Sequence, residues 1–429
     1  MKYSGIKWIG EIPDNWNVRK VKQCFYISKE QAHEENPTIL SLARAGVKVR
    51  DISNNEGQLA ASYDNYNPVM PGDLLLNPMD LYSGANCSLS EVSGVISPAY
   101  INLRKKVELN PKFYDYYFKT QYWAMAMFAH GKGVSFDNRW TMNAETLLNY
   151  YLPFPSSDVQ DKIVDLINKK TAEIDSLIEI ENQQIEKLKE YKQAVITEAV
   201  TRGLDKKVPL KDSGVEWIGK IPEGWSIQKV LYQLSMPVTD GPHTTPELQP
   251  EGVAFVSAEA VSCGNGGIDF SHIRGYITEE FYQECCLKYI PEIDDVYMIK
   301  SGATTGRVSI VTTLEPKFTI WSPLAVMRCD KNKMIPKFLY YAVQSERFQR
   351  QVALGWSFGT QQNLGMRTLE QLKLIIPALS EQKEIANYLD MKIGDIEKAI
   401  KLKNEKIDRL VDYKKSLIYE YVTGKKEVC

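Results

Sequence analysis

Three polar, glycine-flanked stretches in the second half of the chain carry side chains suited to touching an extended ligand. They are Thr239-Asp-Gly-Pro-His-Thr-Thr-Pro246, Lys300-Ser-Gly-Ala-Thr-Thr-Gly-Arg307 and Gly359-Thr-Gln-Gln-Asn-Leu364. Asn and Gln amides pair with adenine edges, Arg and Lys with guanine, and Ser and Thr with a base or a phosphate. The candidates are His243, Thr244, Thr245, Lys300, Thr304, Thr305, Arg307, Thr360, Gln361, Gln362 and Asn363. The first half offers Leu42–Lys48, Ser83–Asn86 and Gly131–Arg139, with Arg44, Lys48, Ser83, Asn86, Lys132, Ser135, Asn138 and Arg139 as candidates. The alternative for any one of these loops is ordinary polar surface.

Catalytic chemistry finds no footing. An adenine methyltransferase carries an Asn-Pro-Pro-aromatic motif, whereas Asn77-Pro78-Met79-Asp80 lacks the second proline and the aromatic residue and reads as a turn. A P-loop needs GxxxxGK followed by Ser or Thr; Gly302-Ala-Thr-Thr-Gly306-Arg307-Val308 is one residue short and lacks both. A metal-dependent nuclease needs clustered carboxylates beside a lysine. Asp294, Asp295 and Lys300 offer this superficially, but Asp295, like Asp73 in PGDLLLNP, reads as a residue of a turn before a strand. The four histidines are far apart, which disfavours a metal site. Seven scattered cysteines without a CxxC pair suit free thiols in a reducing compartment, with Cys285 and Cys286 read as buried neighbours.

The elements that must position the loops are two long helices. Residues 157–202 contain no Pro or Gly. Apolar residues at three- and four-residue steps make the seam of an amphipathic helix with coiled-coil character. At about 1.5 Å per residue it spans roughly 65–70 Å. A near-copy runs from Ser380 to about Thr423. The seam predicts pairing between the copies through Ile174, Ile178, Ile185, Leu188 and Val195 on one and Ile396, Ile400, Ile407, Leu410 and Leu417 on the other. Ser157 with Gln160 reads as a capping box, Ser380 as the second N-cap, and Gly203 and Gly424 as C-terminal caps.

The duplication extends to the whole chain. Residues 4–21 and 213–230 share ten of 18 positions in an SGxxWIGxIPxxW frame. The chain is therefore two half-molecules in tandem, each a small α+β module followed by a long helix. Short β-rich runs lie at 71–78, 94–104, 253–261, 307–313 and 322–328, with helical pieces near Pro111–Ala129 and Pro336–Val352. The divisions are 1–13, a first module at 14–154, a helical region at 155–212, the repeated segment at 213–222, a second module at 223–376 and a distal helical region at 377–429.

The 429 residues carry 52 Lys and Arg against 54 Asp and Glu, a net charge of −2. Near-neutrality does not advertise nucleic-acid binding, so any such role rests on local patches or a charged partner. No run approaches the roughly 18 apolar residues of a membrane span. The first residues lack a signal-peptide core, and a cytoplasmic location is the expectation.

The repeat frame, the two WIG segments, the Pro-x-x-Ser-Glu-Gln-x-x-Ile entry to the second helix, and the TDGPHTTP, SGATTGRVSIV and FGTQQNLGMRTLEQLKLIIPALSEQ strings together resemble the specificity (S) subunit of type I restriction–modification systems. The first helix entry departs from the pattern, with Val159-Gln160 where Glu-Gln is usual. The resemblance implies a fold of two tandem α/β target-recognition domains separated by two long antiparallel coiled-coil helices with a pseudo-twofold repeat. It implies a non-catalytic chain whose recognition domains each read one half of a bipartite target in duplex DNA, with helix length setting the gap. It further implies two methyltransferase (M) subunits that bind S-adenosylmethionine and methylate adenine N6 after flipping the base. Restriction (R) subunits add ATP-driven translocation and cleavage. No cofactor is expected in this chain; S-adenosylmethionine, ATP and Mg belong to the partners. The alternative is a coiled-coil scaffold that binds proteins and has no DNA role.

Overall fold

A computed structural model of the chain describes residues 1–31, 37–43, 46–51, 62–79, 81, 87–133, 140–358 and 362–428. Two helices dominate, Ser157–Arg202 and Leu379–Val422. The chain forms two compact units, one of Met1–Glu181 with Asn404–Cys429 and one of Asn182–Lys403. Each unit thus contains one globular module, the start of the helix that follows it, and the end of the other helix. Among the described residues no helix is long and apolar enough to cross a membrane.

The two units solve the same packing problem with the same residues. In the first, Ile163, Val164 and Ile167 of one helix and Leu417, Ile418 and Val422 of the other are buried with Trp16, Leu74, Leu103 and Phe113. In the second, Ile385, Leu389, Ile396, Ile196 and Val200 are buried with Trp225, Val296, Ala325 and Phe338. Burying such aliphatic side chains contributes about 1.5–3 kcal/mol each relative to exposure. Within each unit the helices run antiparallel, as their cross-helix contacts record. In the first, Lys414 bonds both oxygens of Asp175 at 2.7 Å and Lys406 bonds Glu181 at 2.6 Å. In the second, Lys192 bonds Glu397 at 2.5 Å and Lys403 bonds Gln184.

Each module is built on a four-stranded antiparallel sheet of the same order. The first runs Phe25–Ile27, Ile101–Lys105, Leu74–Leu76, Cys87–Leu89; the second runs Thr239–Asp240, Leu324–Met327, Val296–Ile299, Val308–Ile310. The second module adds a three-stranded sheet in which Val253–Val256 pairs in parallel with Phe318–Ile320. Within the expected β run at 253–261, only the first four residues are strand, and Ala258–Cys263 is helix. The expected helix at 336–352 is two, Pro336–Ala342 and Glu346–Leu354, because the Ser345 hydroxyl accepts from Phe348 N and starts a new one. Cys285 is buried but Cys286 is only half-buried.

The helix entries differ from the capping pattern. Ser157 lies inside the first helix, and the amides of Val159 and Gln160 bond the Ser156 carbonyl. The second helix begins at Leu379, so Ser380 is in its first turn rather than at its cap. Gln160 is wholly buried and spends its amide elsewhere: Nε2 donates to Pro155 O at 2.9 Å and Oε1 accepts from Asn110 N at 2.8 Å. Gln382 repeats this, donating to Pro377 O at 3.0 Å and accepting from Ile335 N at 2.9 Å. One glutamine therefore ties the end of a strand to the start of a short helix in both units. Replacing Gln382 with Ala orphans the Ile335 amide, and a loss of about 1–3 kcal/mol is expected in urea denaturation; a loss below about 0.5 kcal/mol would refute the tie.

The glycine ends behave as expected. Gly203 and Gly424 have φ of 75° and 72°. Gly424 N and Lys425 N bond the carbonyls of Tyr421 and Glu420, the paired bonds of a Schellman cap. A Cβ on Gly424 would lie 2.3 Å from Pro13 and 3.1 Å from Trp16, and one on Gly203 would lie 3.1 Å from Trp225. The last tryptophan of each WIG segment thus closes over the end of a long helix.

Candidate nucleic-acid interface

In the second unit the sheet order brings the three loops together. Asp240 pairs with Ala325 at the sheet edge, so the loop that follows leaves beside the neighbouring strand ends. Lys300 N donates to Pro323 O at 2.8 Å, Leu364 N donates to Lys300 O at 2.7 Å, and Ser301 bridges Asn363. Gly241 is required where the loop crosses the sheet, since a Cβ there would lie 2.0 Å from Ile320 O.

At the junction sits one buried carboxylate. Asp240 is fully buried, and Lys300 is 9% exposed. The Lys288 ammonium bonds Asp240 Oδ1, while Lys300 Nζ lies 3.3 Å and His243 Nε2 3.1 Å from Oδ2. Oδ2 accepts a well-aligned hydrogen bond from neither, so the Lys300 ammonium and the His243 ring lie near it without a closed geometry. A buried carboxylate is costly unless paired. Here the pairing fixes two ammoniums and an imidazole at one place, and the cluster presents a net positive face. A cavity of about 200 Å³ opens beside it, lined by Asp240, Thr244, Phe281, Cys285, Lys288 and Tyr289.

The other candidates are placed as follows. Thr244, Thr245 and Asn363 are exposed, and Thr304 and Thr305 are half-buried. Thr305 spends its hydroxyl on Gly302 O at 2.7 Å. Arg307 is exposed and donates to Ser262 O at 3.3 Å, away from Asp240. The amides of Thr305, Gly306 and Arg307 all bond carbonyls of the same hairpin, so this stretch is not a phosphate-cradling loop. Gln362 pairs through its backbone with Phe358. In the first unit Lys48 and Lys132 are exposed, and Lys132 exchanges two backbone bonds with Thr141. Met142 N donates to Pro78 O at 2.9 Å, the counterpart of Leu364 with Lys300. Arg44, Ser83, Asn86, Ser135, Asn138, Arg139, Thr360, Gln361 and the side chain of Gln362 lie outside the described residues. Of the ten seam residues, Ile174, Ile185, Ile396 and Leu417 are buried, and Ile178, Leu188, Val195, Ile400, Ile407 and Leu410 are half-buried.

The acidic residues tested for catalysis are occupied structurally. Arg328 forks onto Asp295 at 2.7 and 2.8 Å, and Arg104 forks onto Asp73 at 2.9 Å through two nitrogens. Each fork raises the pKa of its arginine through the carboxylate hydrogen bonds. Asp294 pairs with Lys331 at 2.7 Å. The Asn77 carboxamide accepts from Met79 N at 3.0 Å, which closes a local turn. Among the described residues no group of three or more His, Cys, Asp or Glu side chains is arranged to hold a metal ion.

Two members of the cluster escaped the sequence reading. Asp240 lay inside a quoted loop, but nothing in its neighbours signals burial. Lys288 is 48 residues from the aspartate it bonds, at the end of a helix with no motif of its own.

Comparison with known proteins agrees with this architecture. Residues 249–408 match the family described as Type I restriction modification DNA specificity domain. The MjaX type I restriction enzyme specificity subunit named in Methanocaldococcus jannaschii is 25% identical over 291 residues, which cover 67% of this chain and 62% of that protein. The MjaVIII type I specificity subunit of the same organism is 22% identical over 83% of this chain and 80% of its own length. A chain from a solved structure on complex assembly and conformational transition of the type I R-M system has the same fold, with a TM-score of 0.69 over 97% of this chain and all of that one, at 14% identity. Residues 249–408 therefore match a type I restriction modification DNA specificity domain, and the chain shares its fold along nearly its whole length with a chain of a type I R-M system.

Proposed function

We propose that this non-catalytic chain reads a bipartite duplex DNA target, one half with each recognition domain, and that its helix pair sets the unread gap. The helices also carry methyltransferase subunits, which bind S-adenosylmethionine and methylate adenine N6, and restriction subunits join for ATP- and Mg-dependent cleavage. The setting is the cytoplasm. The observation that carries the reading is the convergence of three polar loops on Asp240, where Lys300, His243 and Lys288 form a cationic cluster beside exposed Thr244, Thr245 and Asn363. Charged and amide groups at one edge of a sheet suit base edges in the major groove. The near-neutral chain leaves most phosphate attraction to the partner subunits.

The test is a genome-wide map of methylated adenine with and without the chain. A bipartite motif that vanishes on deletion supports the proposal; an unchanged map removes it and favours a protein-binding scaffold. Lys300→Met keeps the length of the stem and removes the charge. It is expected to weaken discrimination at one or two positions of a single half-site by about 1–3 kcal/mol, read as methylation rates on a panel of substituted sites. An equal effect on both half-sites would contradict the assignment.

A further inference from the structure

The hairpin that carries Lys300 has a second working side. Its strands, Val296–Ile299 and Val308–Ile310, enclose a loop with a cation at each end. Lys300 turns to Asp240, whereas Arg307 reaches Ser262 O and lines a separate open groove of about 300 Å³. Lys192 and Gln193 of the first long helix, Ser262, Asn265 and Tyr340 complete that groove. Lys192 is already ion-paired with Glu397, but Arg307 makes no ion pair among the described residues. The Ser262 hydroxyl is buried with no hydrogen-bond partner. Gly266, at φ +101°, forms part of the lining, and a Cβ there would lie 2.5 Å from the Tyr340 hydroxyl.

Among the described residues, the free charge on this side is the exposed Arg307 guanidinium, because Lys192 is ion-paired and the Gln193, Gln344 and Gln349 amides already donate to backbone carbonyls. A base edge presents donors and acceptors in a pattern, whereas a phosphodiester presents only acceptors and one negative charge. The major groove is about 12 Å wide, so a hairpin tip entering it has one face toward base edges and a flank toward the sugar–phosphate backbone. We infer that the Arg307 side of the hairpin holds a backbone phosphate of the duplex whose bases the Lys300 side reads. The hairpin thus divides positioning from reading within eight residues. The inference rests on the DNA-reading proposal above.

The test uses the full chain assembled with its methyltransferase subunits and compares Arg307→Gln with wild type in equilibrium binding at several salt concentrations. Loss of one phosphate contact lowers the slope of log K against log salt by about 0.9. Affinity is expected to fall roughly tenfold at low salt, equally for the correct site and for sites with one base substituted, with no change in thermal midpoint. Arg307→Lys should keep the slope. Replacing one phosphate at a time with methylphosphonate should reveal a position that weakens wild type but not Arg307→Gln. An unchanged slope, or an altered base preference, in a complex that still binds DNA overturns the inference alone. A wild-type complex that binds no DNA removes the proposal beneath it as well.

Discussion

Adding seven residues at matching positions of both long helices is expected to lengthen the unread gap by about three base pairs and to leave both half-sites unchanged. Seven residues add about 10.5 Å of helix, and duplex DNA rises about 3.4 Å per base pair. Seven is also the seam's own period, so the apolar stripe stays continuous. The contacts across the pair explain why both helices must change together. Asp175 with Lys414 and Glu181 with Lys406 hold one unit, and Gln184 with Lys403 and Lys192 with Glu397 hold the other. An insertion into one helix alone shifts every partner beyond it and should cost stability without producing a new target. The measurement is a map of methylated adenine in cells carrying the extended chain. An unaltered gap would sink the idea that helix length is the ruler.

The second large effect is energetic. Asp295→Ala is expected to destabilise the second unit by about 3–5 kcal/mol, the range for removing one partner of a buried ion pair. Asp295 is 1% exposed and serves four donors. It accepts two bonds from Arg328 at 2.7 and 2.8 Å, one from Glu292 N at 2.9 Å and one from the Tyr289 hydroxyl. Burial pushes the Tyr289 pKa well up, with Tyr297 and Asp295 adding to the effect, so that hydroxyl remains a donor that must be satisfied. The alanine variant leaves it and a half-buried guanidinium without their acceptor. Function should fail with stability, because Val296–Ile299 leads directly from Asp295 to Lys300. The expected readout is a lowered urea midpoint together with loss of discrimination at one half-site. A loss below about 1 kcal/mol would mean that the fork is dispensable. Asp73→Ala tests the same fork in the first unit, where Arg104, Asn102 and the Met70 amide are the donors.

Much of this was legible in the residues alone. The seam spacing announced both helices, and the 18-residue frame announced the duplication. Gly203 and Gly424 marked the helix ends because few other residues adopt their positive φ at low cost. The caps at the other ends were misread for a physical reason. Gln160, three residues after Ser157, satisfies the capping pattern, but it bonds backbone groups at the preceding strand end and a distant short helix instead, as Gln382 does in the second unit. A local pattern does not register a distant competitor for the same amide.

Periodicity and repetition are properties of neighbouring residues, so the sequence by itself determined the two long helices, the paired modules and the absence of a recognisable catalytic motif. Only the tertiary structure decided which helix segments share a core. Each module closes on the end of the other copy's helix, with Trp16 at Gly424 and Trp225 at Gly203. It also decided that Asp240, His243, Lys288 and Lys300 form one cluster while Arg307 faces another groove. The reason lies in the strand order. Antiparallel pairing carries Thr239–Asp240 to Leu324–Met327 and those strands to Val296–Ile299, and charges far apart in the chain meet only once that sheet has formed.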